Sequence, residues 1–116
     1  MAMDPNLLKG NLDLIVLSVL SEGPMYGLRI IQEMQGRTDG YFDFKEGSLY
    51  PALHRLTKAG MLETENQPSS VGGAPRKFYR LTEEGGHELE RKRRAFGEFV
   101  GAVQALGNAP KLGGAK

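Results

Sequence analysis

Lys45-Glu46-Gly47-Ser48-Leu49-Tyr50-Pro51-Ala52-Leu53-His54-Arg55-Leu56-Thr57-Lys58-Ala59-Gly60 is the stretch that decides how this chain is read. Leu49, Ala52, Leu53 and Leu56 fall at helical spacing and make one apolar stripe. Tyr50, Pro51, His54, Arg55 and Lys58 fall on the other side. The pattern predicts a helix from about Glu46 to Ala59. Pro51 sits near its first turn, where a missing N–H costs little, and Gly60 is the stop. Ser48, Tyr50, His54, Arg55 and Lys58 could donate hydrogen bonds to base edges or phosphates. Lys45 and Ser48 sit at the amino end, where open amides suit a phosphate. The same pattern also describes a core helix with a solvated polar face, and the helix alone does not choose.

Upstream, Met25 to Gln35 predicts a second helix. Leu28, Ile31 and Met34 line its apolar face, and Gly36 ends it. A loop from Arg37 to Phe44 follows. Its aromatics Tyr41, Phe42 and Phe44 read as loop-anchoring core. With that loop, the second and third helices suit a helix-turn-helix pair. At the start, Asp4-Pro5 caps and opens a first helix. Its apolar residues from Leu7 to Leu20 cover most of the circumference, so it is expected to be buried on more than one side: against its own core and against a partner chain. Glu22-Gly23-Pro24 ends it.

Downstream the period changes. Met61 to Glu65 reads as a short strand, Gln67 to Pro75 as a loop, and Arg76 to Leu81 as a second strand, together a β-hairpin. Gly72 and Gly73 let the backbone of the loop approach another surface closely. Arg76 and Lys77 stand beside them, as a wing on a phosphate backbone would require. The competing reading is a flexible surface hairpin whose charges only aid solubility. Following a helix-turn-helix, the wing is the better reading.

Thr82 then caps a last helix, with Glu83 and Glu84 in its first turn. Running to about Leu106 at roughly 1.5 Å per residue, it is nearly 40 Å long, too long to bury itself in so small a domain. Phe96, Phe99, Val103 and Leu106 follow a coiled-coil seam. Gly97, Gly101 and Ala105 make a strip beside it. Each interior Gly costs about 1 kcal/mol relative to Ala, which close packing of a partner's first helix would offset. The expected dimer interface is Leu8, Leu12, Ile15, Leu89, Phe96, Phe99, Val100, Val103 and Leu106. Arg91-Lys92-Arg93-Arg94 reads as a solvated basic face. Residues 108–116 read as a disordered tail.

The bulk properties fit this picture. The 116 residues are 40% apolar and 25% charged, with no cysteine and a net charge of +1. The charge is uneven: residues 45–80 hold 6 Lys/Arg against 3 Asp/Glu, whereas residues 1–44 hold 3 against 6. A local basic face matters more than the total. No apolar run approaches the ~18 residues of a membrane span, and no basic-then-apolar leader opens the chain. The expected location is therefore the cytoplasm. His54 and His87 lie on different helices with no carboxylate at metal or triad spacing. No catalytic site, metal site or cofactor is expected. The alternative is a winged helix that binds another protein, for which the acidic first third would serve.

Three blocks carry a family resemblance. Gly47-Ser48-Leu49-Tyr50-Pro51-Ala52-Leu53-His54-Arg55-Leu56, with Gly60-Met61-Leu62, closely resembles the third helix of the PadR family of regulators. Met25-Tyr26-Gly27-Leu28-Arg29-Ile30-Ile31 resembles that family's second helix, and Gly72 to Thr82 its wing and following strand. The likeness spans about residues 7–106. It implies a mainly α fold with a small β-hairpin: a winged helix-turn-helix over residues 1–81 and a dimerisation helix over 82–107, as in the family's short subgroup. It implies a homodimeric repressor on a palindromic double-stranded operator, released in many members by a small aromatic ligand. By the same resemblance Tyr26, Ser48, Tyr50, Arg76 and Lys77 become leading DNA contacts, beside Lys45, Pro51, His54, Arg55, Lys58 and Gly73. Phe96 falls where some relatives stack a ligand, with Phe99 beside it; otherwise both are interface core. Ala74 departs from the larger or basic residue common in the wing.

Overall fold

Asp4 opens the chain's first helix by accepting a hydrogen bond from the Asn6 amide at 2.9 Å, with Pro5 at the first helical position. The structure is a computed structural model that describes residues 4–68 and 72–107; the tail expected over 108–116 lies outside the described residues. Helix α1 spans Pro5–Leu20, strand β1 Met25–Tyr26, helix α2 Gly27–Arg37, helix α3 Glu46–Lys58, strand β2 Leu62–Gln67, strand β3 Arg76–Leu81 and helix α4 Glu83–Gly107.

The core gathers the second half of α1, one face each of α2 and α3, and the inner face of the sheet. Val16, Leu17, Leu20, Ile30, Met34, Leu49, Leu53 and Leu62 are its most enclosed side chains. The stripe on α3 is as expected: Leu49, Ala52, Leu53 and Leu56 are all buried. On α2 the face is rotated. Ile30, Ile31 and Met34 are buried, while Leu28, expected on the core side, is exposed. Pro51 lies in the second turn of α3, not the first, so the Gly47 carbonyl loses its helical donor on the exposed side.

The expected hairpin is present, but it belongs to a three-stranded antiparallel sheet in the order β1-β3-β2. Strand β2 runs to Gln67, two residues past its expected end, and pairs with β3 from Leu62↔Leu81 to Gln67↔Arg76. Residues 25–26, read from sequence as the start of a helix, instead pair with β3 through Met25↔Tyr79 and Tyr26↔Phe78. Strand alternation then sorts the side chains. Met25, Tyr79 and Leu62 are buried on the inner face, and Tyr26, Arg76, Phe78 and Arg80 share the outer one.

The root of α4 is tightly fastened. The Thr82 hydroxyl accepts the Gly85 amide at 3.0 Å and donates to the Gly60 carbonyl at 2.6 Å. The Thr82 amide donates to the Met61 carbonyl at 3.1 Å. A β-carbon at Gly85 would collide with that carbonyl oxygen, so only glycine lets the helix pass. Leu89 is the last α4 side chain in the core; beyond it, Phe99 is 66% and Leu106 85% exposed.

Candidate nucleic-acid interface

Helix α3 presents its outer face as a row. Gly47, Pro51, His54 and Lys58 recur along one line and all are exposed. Ser48 and Arg55 flank it on one side and Tyr50 on the other. Lys45 is the N-cap residue and gives no capping side chain, so the first amides of α3 open onto the same surface as Lys45 and Ser48. Glu46, in that first turn, offsets part of the positive field there.

The two flanks hold the helix in place. Arg55 was expected to face nucleic acid; instead its guanidinium makes a bidentate pair with Asp13 of α1, at 2.8 and 2.9 Å. The hydrogen bond and charge of Asp13 push the pKa of Arg55 further up. Tyr50 is 40% exposed, yet its hydroxyl end rests on Gly27, the first residue of α2. A β-carbon at Gly27 would overlap that hydroxyl, so glycine makes the seat. Burial, with Tyr50 close by, pushes the Tyr79 phenol above its ordinary value. Arg55 and Tyr50 thus fix α3 to α1 and α2.

Beside α3 stands the hairpin. Gly72 and Gly73 take φ of +81° and +95°, a left-handed turn that glycine adopts freely. Arg80 is neutralised by Glu63 at 2.8 Å and Glu65 at 3.2 Å. Arg76 and Lys77 make no ion pair among the described residues and are exposed. The Arg76 guanidinium lies 4.3 Å from the centre of the Tyr26 ring. That ring meets Phe78 edge-on at 5.4 Å.

A separate apolar groove of about 650 Å³ opens on the other side of α1, lined by Leu7, Leu14, Met34, Tyr41, Phe42 and Phe96. Of the loop aromatics, Phe44 is buried as expected, whereas Tyr41 turns to the groove and is 42% exposed. Arg93 and Arg37 stand at the groove's edge, and Arg37 pairs with Glu33 and Glu22. Phe96 also lines an adjoining hollow with Phe99, Leu7 and Gly10. Two residues assigned from sequence to a dimer interface belong elsewhere: Ile15 and Leu89 are buried in the chain's own core. Leu8 and Leu12 are partly buried against that core, and Val100 is half-buried. Phe96, Phe99, Val103 and Leu106 remain exposed. Of the basic run on α4, Arg91 bonds Glu88 at 2.6 Å and approaches Glu84, and Lys92 also reaches Glu88. Among the described residues no group of three or more metal-binding side chains converges, and no helix is long and apolar enough to cross a membrane.

Residues 16–91 match the model of the transcriptional regulator PadR-like family. The chain belongs to the PadR-like family. Among relatives of this PadR-like protein, transcriptional regulator Rv3488 of Mycobacterium tuberculosis is 34% identical over 88 residues, covering 76% of this chain and 78% of its own. An uncharacterised protein of Lysinibacillus sphaericus is 39% identical over 77 residues, 66% of this chain and 70% of its own. Among solved structures, a transcriptional regulator from Clostridium thermocellum superposes with a TM-score of 0.78 at 29% identity, over 86% of this chain and 96% of that one. A PadR-like transcriptional regulator from Bacillus cereus gives 0.76 at 29% identity, over 95% and 99%. The PadR-like protein is thus a DNA-binding transcriptional regulator by family, not an enzyme, and its winged-helix fold is that of these neighbours.

Proposed function

We propose that this PadR-like protein is a homodimeric, cytoplasmic repressor that grips a palindromic operator with α3 in the major groove and the hairpin as a wing on the backbone. The observation that carries this reading is the exposed row Gly47, Pro51, His54 and Lys58 beside a wing whose Arg76 and Lys77 have no carboxylate partner among the described residues. Base-edge contacts fall to Ser48 and His54; backbone contacts fall to Lys45, Lys58, Arg76, Lys77 and the Gly73 turn. Residues 1–81 form the DNA-binding part. The seam Phe96, Phe99, Val103 and Leu106 on the 82–107 helix joins two chains, because one chain leaves it in solvent. The groove beside Phe96 takes a small aromatic effector that weakens DNA binding.

The test is anisotropy on a labelled duplex of the gene's own upstream region, across a salt series. Four cations per chain in a dimer give about 8 phosphate contacts and a log–log salt slope near −7. No binding at low salt refutes the reading and leaves the protein-interaction alternative. Phe99→Asp with Val103→Asp should yield a monomer in light scattering with far weaker binding.

A further inference from the structure

Tyr26 lies on the outer face of the sheet, paired with Phe78 across β1 and β3. Phe78 meets the Tyr26 ring edge-on at 5.4 Å with planes at 70°, and the Tyr26 backbone is set by the β1 pairing and as the N-cap of α2. The Arg76 guanidinium is held against that ring, 4.3 Å from the centroid. We propose that Tyr26 is a positioning residue for DNA binding, its ring holding Arg76 ready at the base of the wing while its hydroxyl makes no necessary contact. The inference rests on the operator-binding reading and assigns a mechanism to its wing.

The physical argument is one of order. An exposed arginine samples many rotamers, and fixing one on binding costs conformational entropy that lowers affinity. Arg76 also begins β3, directly after a loop with two left-handed glycines. Among the described residues of that turn, Pro68 and Gly72 to Pro75, none is charged or can hold a guanidinium with its side chain. The aromatic face does so without neutralising the charge, as a carboxylate would. Arg80, four residues on and on the same face of the strand, shows the contrast: Glu63 and Glu65 hold it, and its charge is spent. A guanidinium over an aromatic face, unlike one paired with a carboxylate, keeps N–H donors free for a phosphate. β1 is what brings Tyr26 there; as the first turn of a helix, the residue would have no register with the wing.

The test is a double-mutant cycle on the same labelled upstream duplex with Tyr26→Leu, Tyr26→Phe, Arg76→Ala and the Leu/Ala pair. Tyr26→Leu should bind roughly two- to fivefold more weakly per wing, the strength of an exposed cation–π contact. Tyr26→Phe should restore most of that loss, and the double variant should bind no more weakly than Arg76→Ala alone. Multiplicative losses, or a Tyr26→Phe defect as large as that of Tyr26→Leu, overturn the proposal. An NMR measurement on the unaltered chain stands apart from DNA and from any folding defect. The Arg76 δ-methylene protons should be shifted upfield by the ring current. Their appearance at ordinary positions refutes the stack while leaving the operator reading intact. A wild type without DNA affinity refutes the operator reading itself, and the positioning role with it.

Discussion

Gly85→Ala should destabilise the protein, against the ordinary rule for helices. In a helix interior Ala is favoured over Gly by about 1 kcal/mol. At Gly85 the added β-carbon would strike the Met61 carbonyl oxygen, which is backbone and cannot swing aside as a side chain would. That oxygen is also held by the Thr82 amide at 3.1 Å. Relief therefore means shifting the helix root or losing the hydrogen bond, worth about 1 kcal/mol. Overpacking of this kind costs roughly 1–3 kcal/mol. Adding the lost hydrogen bond and subtracting the propensity gain, each about 1 kcal/mol, the expected loss is about 1–3 kcal/mol. At about 4 °C per kcal/mol for a chain of this size, the melting temperature falls by roughly 4–12 °C. Gly86→Ala is the internal control: its β-carbon meets nothing within 4 Å, so it should gain up to about 1 kcal/mol and melt higher. Circular dichroism melts with urea titrations of the two variants measure both. A Gly85→Ala protein as stable as wild type, or a Gly86→Ala protein that falls with it, would refute the reasoning.

Two other outcomes follow from the same geometry. Gly27→Ala displaces only the far end of the Tyr50 side chain, so melting should change by no more than a few degrees while affinity for the upstream duplex falls; unchanged affinity would show that the seat of Tyr50 is irrelevant to binding. Glu88 is held below the usual carboxylate range, chiefly by its hydrogen bond from Arg91. Its stabilisation is therefore full above the unfolded value of about 4.3 and is lost as pH falls through the lower folded value. The stability gap between wild type and Glu88→Gln should be widest near neutral pH and close in acid. A pH-independent gap in urea titrations would remove the ion pair as its cause.

Much of this was legible in the sequence because it is local. The α3 stripe needs only the spacing of Leu49, Ala52, Leu53 and Leu56, and the start of α4 only Thr82 and the two glutamates after it. What escaped is decided between distant segments. β1 is two residues long, too short to show any period, and exists because β3 offers an edge to Met25 and Tyr26. Leu28 and Ile30 both suit an apolar face; only the packing of α2 on its neighbours chooses Ile30. Arg55 looks like any surface cation until folding brings Asp13, 42 residues away, beside it. Ile15 and Leu89 carry no mark of whose core they fill. On the candidate surface, the residue types of the α3 row and the wing were visible in advance. The roles of Tyr50 and Tyr26 were not, since both depend on a glycine or an arginine from another element.

The corner where Thr82 grips Gly60 joins two directions in one rigid joint. Gly60 follows the C-cap residue Ala59 of α3, and Thr82 directly precedes α4. In the proposed dimer joined through α4, the two copies of α3 are then set apart like the points of a caliper whose hinge has been welded. Half-sites one helical turn apart, about 34 Å, tolerate little error in that setting. On the proposed reading, operator spacing is set partly by a hydroxyl and a glycine that lie outside the exposed row of α3.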